Sequence, residues 1–342
     1  MKKRLTIVGF NIIAISLGAG IGIVLAEGLI RIAMPNYAFY QRTYPGKFAN
    51  KDSRQVRYDK DLGWVFKKSA ELEGIKYSIN KQGFRDPRDF EDKRTIKKNR
   101  IVILGDSFVF GLCVNEELSL PSLIQQKLGD SYEVFNLGMS GYGIDQMYIT
   151  YKKYAPVINP DIVILAFISD DIQRVTESYR NIEKFNKPSF DLKNGNLVSR
   201  NRNDLNMLDY ISQKSILLNM IYARIYRRYL GHKICEKIFL ELIKETREHN
   251  EKLIVVKYPC RDDIEKSKKF ITEIIRSRIF GFENIFKDTP AVYMDCPPAI
   301  LKLSEKEYKK FFLSDGHPSG EGNKLMAEYI TTNYHFDLAQ SK

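Results

Sequence analysis

Arg100-Ile101-Val102-Ile103-Leu104-Gly105-Asp106-Ser107 is the stretch that decides how this chain folds. Its four consecutive apolar side chains, three of them β-branched, suit a strand buried on both faces, as strands of parallel sheets are. Gly105 at its end lets the backbone bend and leaves room for a substrate carbonyl, and Ser107 follows in the turn. A serine so placed becomes a nucleophile when a base stands beside it. Without one, Gly-Asp-Ser closing a strand is ordinary turn chemistry. A base comes 210 positions after Ser107, in Asp315-Gly316-His317-Pro318-Ser319, where an imidazole is accompanied by a carboxylate. The other three histidines, His232, His249 and His335, sit in helical or terminal contexts. Histidine-assisted chemistry in this chain therefore points to His317.

Outward from this stretch, strands and helices alternate. Apolar runs predict strands over 101–104, 132–137, 161–167, 253–258 and 291–294. Helical periodicity predicts helices over 119–128 (capped by Ser119), 144–154, 233–249, 264–279 and 323–332. Such alternation means a parallel sheet covered on both faces, a doubly wound α/β domain. Ligands bind at the carboxyl ends of strands in these sheets; Ser107, Gly141, Asp170 and Cys260 all fall just beyond one. Ahead of the sheet, 62–85 reads as short strands and turns packed against one end of the domain, with Asn80 and Gly83 as turn formers. Residues 173–230 break the alternation and read as an insertion near the active edge. They hold the cluster Tyr222-Ala223-Arg224-Ile225-Tyr226-Arg227-Arg228-Tyr229, which suits a substrate-facing or membrane-facing surface or a solvated amphipathic helix.

The amino terminus carries a different signal. Met1-Lys2-Lys3-Arg4 precedes an uncharged run over 5–26, long enough to cross a bilayer as a helix. The basic cluster before it orients everything after Glu27 outward by the positive-inside rule. The run exceeds a usual signal-peptide core, which favours an uncleaved anchor over a removed leader ending at Val24-Leu25-Ala26. The organisation expected is an anchor over 1–34, a linker over 35–57 and a catalytic domain over 58–335. The net charge is +12, from 54 Lys and Arg against 42 Asp and Glu. These basic residues are dispersed among acidic ones without a recognition motif, which excludes nucleic acid as the partner and fits anionic lipid or acidic glycans. Cys113, Cys235, Cys260 and Cys296 match no zinc spacing, and both disulfides and free thiols stay open. Pairs such as Asp262-Asp263 read as solvated faces, and neither a metal nor a cofactor is expected.

Four blocks in order carry a resemblance to the GDSL/SGNH hydrolase family. Gly105-Asp106-Ser107-Phe108 matches the first. Asn136-Leu137-Gly138-Met139-Ser140-Gly141-Tyr142-Gly143 resembles the second, Ser169-Asp170-Asp171 the third, and Asp315-Gly316-His317 the last. The likeness runs from about Tyr58 to Ile330 and implies a flavodoxin-like α/β/α sandwich with a parallel sheet. It also implies Ser107 as nucleophile, His317 as base and Asp315 as the acid that orients the imidazole. The N–H groups of Ser107 and Gly141, with the third-block residue Asp170, fall where the family holds the oxyanion. The chain departs from the family at Asp170, where asparagine is usual. A carboxylate facing an oxyanion repels it unless it is protonated, turned away or paired with a cation, for which Arg174 lies one helical turn on. Asp315 and His317 are separated by one residue, where many members have two.

The function implied is an extracytoplasmic serine esterase acting on acyl esters, most plainly O-acetyl groups of a cell-envelope glycan. Two alternatives share the residues. One is an acetyltransferase using the same triad; the other is a catalytically weak scaffold of a polysaccharide-modification system, favoured by Asp170. The expected partners are an acylated substrate and the membrane; the sequence names no protein partner.

Overall fold

The computed structural model describes residues 2–33, 55–68, 70–72, 74–91, 98–177, 179–180, 185–199, 215–221, 228–260, 263–264, 281–297, 300 and 302–336. The expected linker up to position 54, the helix over 264–279 beyond Ile264, and 222–227 of the aromatic-basic cluster lie outside these residues. The chain divides into two compact units. One comprises Met1–Phe48 and Asn203–Tyr229; the other comprises Ala49–Arg202 and Leu230–Lys342.

The larger unit is built on a five-stranded sheet of β1 (Asn99–Gly105), β2 (Tyr132–Gly138), β3 (Ile162–Phe167), β4 (Lys252–Lys257) and β5 (Val292–Met294). Its order is β5-β4-β3-β1-β2 with every pairing parallel. This is the flavodoxin-like doubly wound arrangement, in which the order reverses beside β1 and opens a crevice at the strand ends. Register brings those ends level, since Leu104 lies opposite Leu137 on one side and Leu165 on the other. The apolar run of β1 fills both faces by strict alternation: Val102 and Leu104 enter one core cluster, Ile101 and Ile103 the other. All four are fully buried. Each is stabilised by about 1.5–3 kcal/mol through burial, which fixes the strand from which Ser107 is presented.

Helices cover both faces. They include α1 (Ser107–Phe110), α2 (Leu120–Leu128), α3 (Ile144–Ile158), α4 (Ser169–Arg174), α5 (Arg228–Glu248), α6 (Glu305–Phe311) and α7 (Gly320–Asn333). Ser119 caps α2 as its sequence predicts, accepting from the N–H of Ser122, and Ser319 caps α7 through the N–H of Gly322. Helix α3 runs past the predicted 154 to Ile158, with Pro156 in its last turn and Asn159 closing it in the left-handed region at φ 53°. Ahead of the sheet, an antiparallel pair joins Val56–Asp59 to Gly63–Phe66. Its Trp64 is fully buried and meets the Tyr142 ring edge-on at 5.4 Å.

Within the insertion, Phe190–Lys193 pairs with Asn196–Ser199 as a hairpin. It is preceded by the fully buried Lys187, which donates to Asp145 at the start of α3 and to the carbonyls of Glu177 and Pro188, both at 3.1 Å. All four cysteines are free thiols, with Cys235, Cys260 and Cys296 buried. The smaller unit contains the Lys2–Ala33 helix, whose window Ala14–Ala33 is long and apolar enough to cross a membrane, at mean hydropathy 1.7. A removed signal sequence passes the same test of length and composition.

Candidate active site

Ser107 is the first residue of α1, directly past the end of β1. Asp106 caps that helix: its Oδ1 accepts the Phe108 N–H at 2.9 Å. The turn can form because the neighbouring strand ends lack side chains. A Cβ at Gly138 would sit 2.3 Å from the Phe110 nitrogen, and one at Gly105 would sit 2.2 Å from Val109. Helix α1 therefore lies directly over both strand ends.

The structure brings the three predicted triad residues together. The Ser107 oxygen lies 2.9 Å from His317 Nε2, and His317 Nδ1 lies 2.9 Å from Asp315 Oδ2. An ionised Asp315 can only accept, so Nδ1 is the protonated nitrogen and Nε2 accepts from the serine hydroxyl. The His317 backbone N–H also donates to Asp315 Oδ1, at 3.1 Å. Partial burial works against ionisation of Asp315, and these two bonds from His317 outweigh it, holding the carboxyl below its ordinary range. The acid and base are held in a tight loop: the Leu313 N–H donates to the His317 carbonyl at 2.8 Å, and Gly316 adopts φ +90°. Phe108 packs beside the imidazole at 5.6 Å between ring centres.

Gly141 is buried, in the left-handed region at φ +80°, which glycine adopts without steric cost. Its loop is pinned on both flanks. Trp64 Nε1 donates to the Ser140 carbonyl at 3.0 Å, and the Tyr142 hydroxyl donates to the Trp64 carbonyl at 2.6 Å. The loop is also joined to β1, the strand that leads to Ser107, since the Met139 N–H donates to the Gly105 carbonyl at 3.0 Å.

Asp170 is exposed on the first turn of α4. Arg174, the cation offered as one way of neutralising Asp170, has its direct bonds elsewhere. Arg174 Nη1 donates instead to Asp106 Oδ2 at 3.1 Å, to the Tyr142 carbonyl at 3.1 Å and to Asp171. The reason is geometric: Asp171 is buried where Asp170 faces solvent, and a buried carboxylate has the greater need of a counter-charge. Burial works against the charge on Arg174, and the carboxylates of Asp171 and Asp106 outweigh it, so its pKa is raised. Burial, with Asp106 close by, pushes Asp171 well above the usual carboxylate range. Asp171 does not reach the Ser107 turn directly; it accepts the Ile168 N–H at 2.9 Å and acts on Asp106 through Arg174.

Asp263 is a correction. It is not a solvated face but buried, accepting from Ser169 Oγ at 2.8 Å and from the Cys260 N–H at 3.2 Å and thiol at 2.9 Å. Burial and this carboxylate push the Cys260 thiol up. Arg85 had no role in the sequence. It is buried with its guanidinium over the Tyr77 ring, and it donates to the carbonyls of Phe110 and Val114 at 3.3 and 3.0 Å and to that of Gly111 at 2.5 Å. It thereby closes the carboxyl end of α1. An arginine following the turn Asn80-Lys81-Gln82-Gly83 was the available signal, but its acceptors lie 25 to 29 positions away. Among the described residues, no group of three or more His, Cys, Asp or Glu side chains is placed to hold a metal ion.

The model of the GDSL-like lipase/acylhydrolase family matches residues 101–330. The chain belongs to this family. The match begins on β1 and ends within α7, so the GDSL acylhydrolase segment contains all four blocks. Solved structures similar to this chain include a G-D-S-L family protein, described as a putative lipolytic one, from Desulfitobacterium hafniense. It is 17% identical, at TM-score 0.41, covering 69% of this chain and 100% of that one. A lipase/acylhydrolase from Enterococcus faecalis is 14% identical at TM-score 0.41, covering 69% and 94%. An acetyl xylan esterase from Geobacillus stearothermophilus is 17% identical at TM-score 0.42, covering 72% and 100%. No curated protein matches the chain.

Proposed function

We propose that this acylhydrolase is a serine esterase, with Ser107, His317 and Asp315 as its triad, held by an amino-terminal anchor on the extracytoplasmic face of a membrane. The observation that carries the reading is the unbroken relay from Asp315 through His317 to Ser107 at 2.9 Å per step. As Ser107 Oγ forms its bond to the acyl carbon, His317 Nε2 takes the hydroxyl proton. The carbonyl electrons move to oxygen, where the N–H groups of Ser107 and Gly141 meet the developing charge. The proton then goes to the leaving alkoxide as the ester bond breaks. Water repeats the sequence against the acyl-enzyme and releases the acid. Asp315 stays ionised throughout and stabilises the imidazolium.

The substrate we propose is an acyl ester, an O-acetyl group, on a cell-envelope glycan. The net charge of +12 and the outward orientation assigned to the domain support that choice. The test is hydrolysis of p-nitrophenyl acetate by the detergent-extracted full chain beside Ser107→Ala and His317→Ala. Loss of turnover in both, with folding retained, is expected; turnover surviving in either sinks the serine mechanism. In the same assay Asp170→Asn separates two cases: a rise in kcat of about tenfold or more means that the carboxylate attenuates the site. A fall would give Asp170 a role of its own.

A further inference from the structure

Within the smaller unit, the carboxyl-terminal part of the Lys2–Ala33 helix is joined by a second segment. The first charge after the uncharged run is Glu27, and both of its oxygens are engaged. Oε1 accepts the Ile216 N–H at 3.0 Å; Oε2 accepts the Leu217 N–H at 2.9 Å and the Ser215 hydroxyl at 2.8 Å. Arg31, one turn on, donates to Oε1 from Nε at 2.8 Å. Glu27 thus satisfies donors at the start of the helix Ile216–Ile221, which no helix can satisfy for itself. The segment it holds comes from the middle of the insertion, 189 positions away.

A carboxylate near the end of an apolar span is costly in lipid unless paired, and an N–H without a partner costs several kcal/mol there. Here each group answers the other's need, so both can lie at a membrane boundary. Ile216-Leu217-Leu218-Asn219-Met220-Ile221 is apolar at five of six positions. Ile216 is fully buried, whereas Leu218 is 39% exposed, as are the long helix's own Leu29 and Ile32 at 67% and 79%. An apolar segment docked at the end of the long helix suits the membrane interface.

We propose that residues 215–221 are a second membrane-contact element, docked through Glu27 on the end of the anchor and placing Leu218 at the headgroup–acyl boundary of the bilayer. This rests on reading Lys2–Ala33 as a retained membrane anchor. The test places a fluorescent amino acid at Leu17, Leu218 or Val198 of the full chain, reconstituted in phosphatidylethanolamine–phosphatidylglycerol vesicles. Lipids brominated either near the headgroup or deep in the acyl chain serve as quenchers. Deep bromines should quench the Leu17 probe and shallow ones the Leu218 probe, each judged against the exposed Val198 probe as the comparison site. No quenching at Leu17 overturns the anchor reading; quenching at Leu17 without quenching at Leu218 overturns this proposal alone. Glu27→Leu should abolish quenching at Leu218 while Leu17 stays quenched and p-nitrophenyl acetate hydrolysis is unchanged. Quenching at Leu218 that persists in that variant rules out docking through Glu27.

Discussion

A single nitrogen of Arg174 meets Asp106, Asp171 and the Tyr142 carbonyl, so one side chain ties the nucleophile turn to the loop carrying Gly141. Removing it leaves two buried carboxylates without their counter-charge, which typically costs about 3–5 kcal/mol. Arg174→Met is therefore expected to lower the urea midpoint and to reduce kcat more than it raises KM. Arg174→Lys, which keeps the charge and three donors, should recover most of both. Equal loss in the two variants would reduce Arg174 to its shape. Asp315 sets a pH dependence instead. Its folded pKa lies below the ordinary value because the bonds from His317 outweigh partial burial. Ionised Asp315 therefore stabilises the loop fully above the unfolded pKa, about 4, and that contribution is lost as pH falls through the folded value. Thermal unfolding scanned downward from about pH 5 should show wild type losing stability more steeply than Asp315→Asn. Parallel curves would contradict the assignment.

Elements differ in how much of them the sequence shows. Continuous apolar runs marked all five strands, because a strand buried on both faces needs apolar side chains at consecutive positions. Ser119 marked the start of α2, whereas the start of α7 was placed three residues late, at Asn323, because its cap Ser319 was not read as one. The proximity of Ser107, His317 and Asp315 was legible because they sit at a strand end and in a short loop, where residue type carries the chemistry. Distant partners that belong to no motif were not legible. Lys187 reads as one more surface lysine until it is seen fully buried against Asp145, 42 positions earlier. Burial raises Asp145 against the pull of that ammonium, so the pair depends on each member having the other. This pins the first part of the insertion to the start of α3. Lys187→Met should cost about 3–5 kcal/mol by urea unfolding, and adding Asp145→Leu should restore most of it, since an apolar pair of similar volume is often neutral. If the double variant is as unstable as the single one, the pair does not hold this part of the insertion.

At the scale of the whole molecule, the division into units follows space and not chain order. Asn203–Tyr229 belongs with the amino-terminal segment, so the chain passes between the two units three times: after Phe48, after Arg202 and after Tyr229. A protein tethered only through its amino-terminal segment would be freed by one cut beyond the anchor. This one would keep two further connections through 203–229, held to the long helix by the bonds of Ser215, Ile216 and Leu217 to Glu27. A site-specific protease sequence inserted between Ala33 and Gln55 separates the two cases. After complete cleavage in membrane vesicles, the catalytic unit should still sediment with the membranes and keep its p-nitrophenyl acetate activity. The same cut combined with Glu27→Leu should release it into the supernatant, because the remaining contact, an apolar segment lying at an interface, is marginal without its docking partner. Release by the cut alone would mean that the amino-terminal segment is the sole tether and that the Glu27 contact is too weak to hold the catalytic unit.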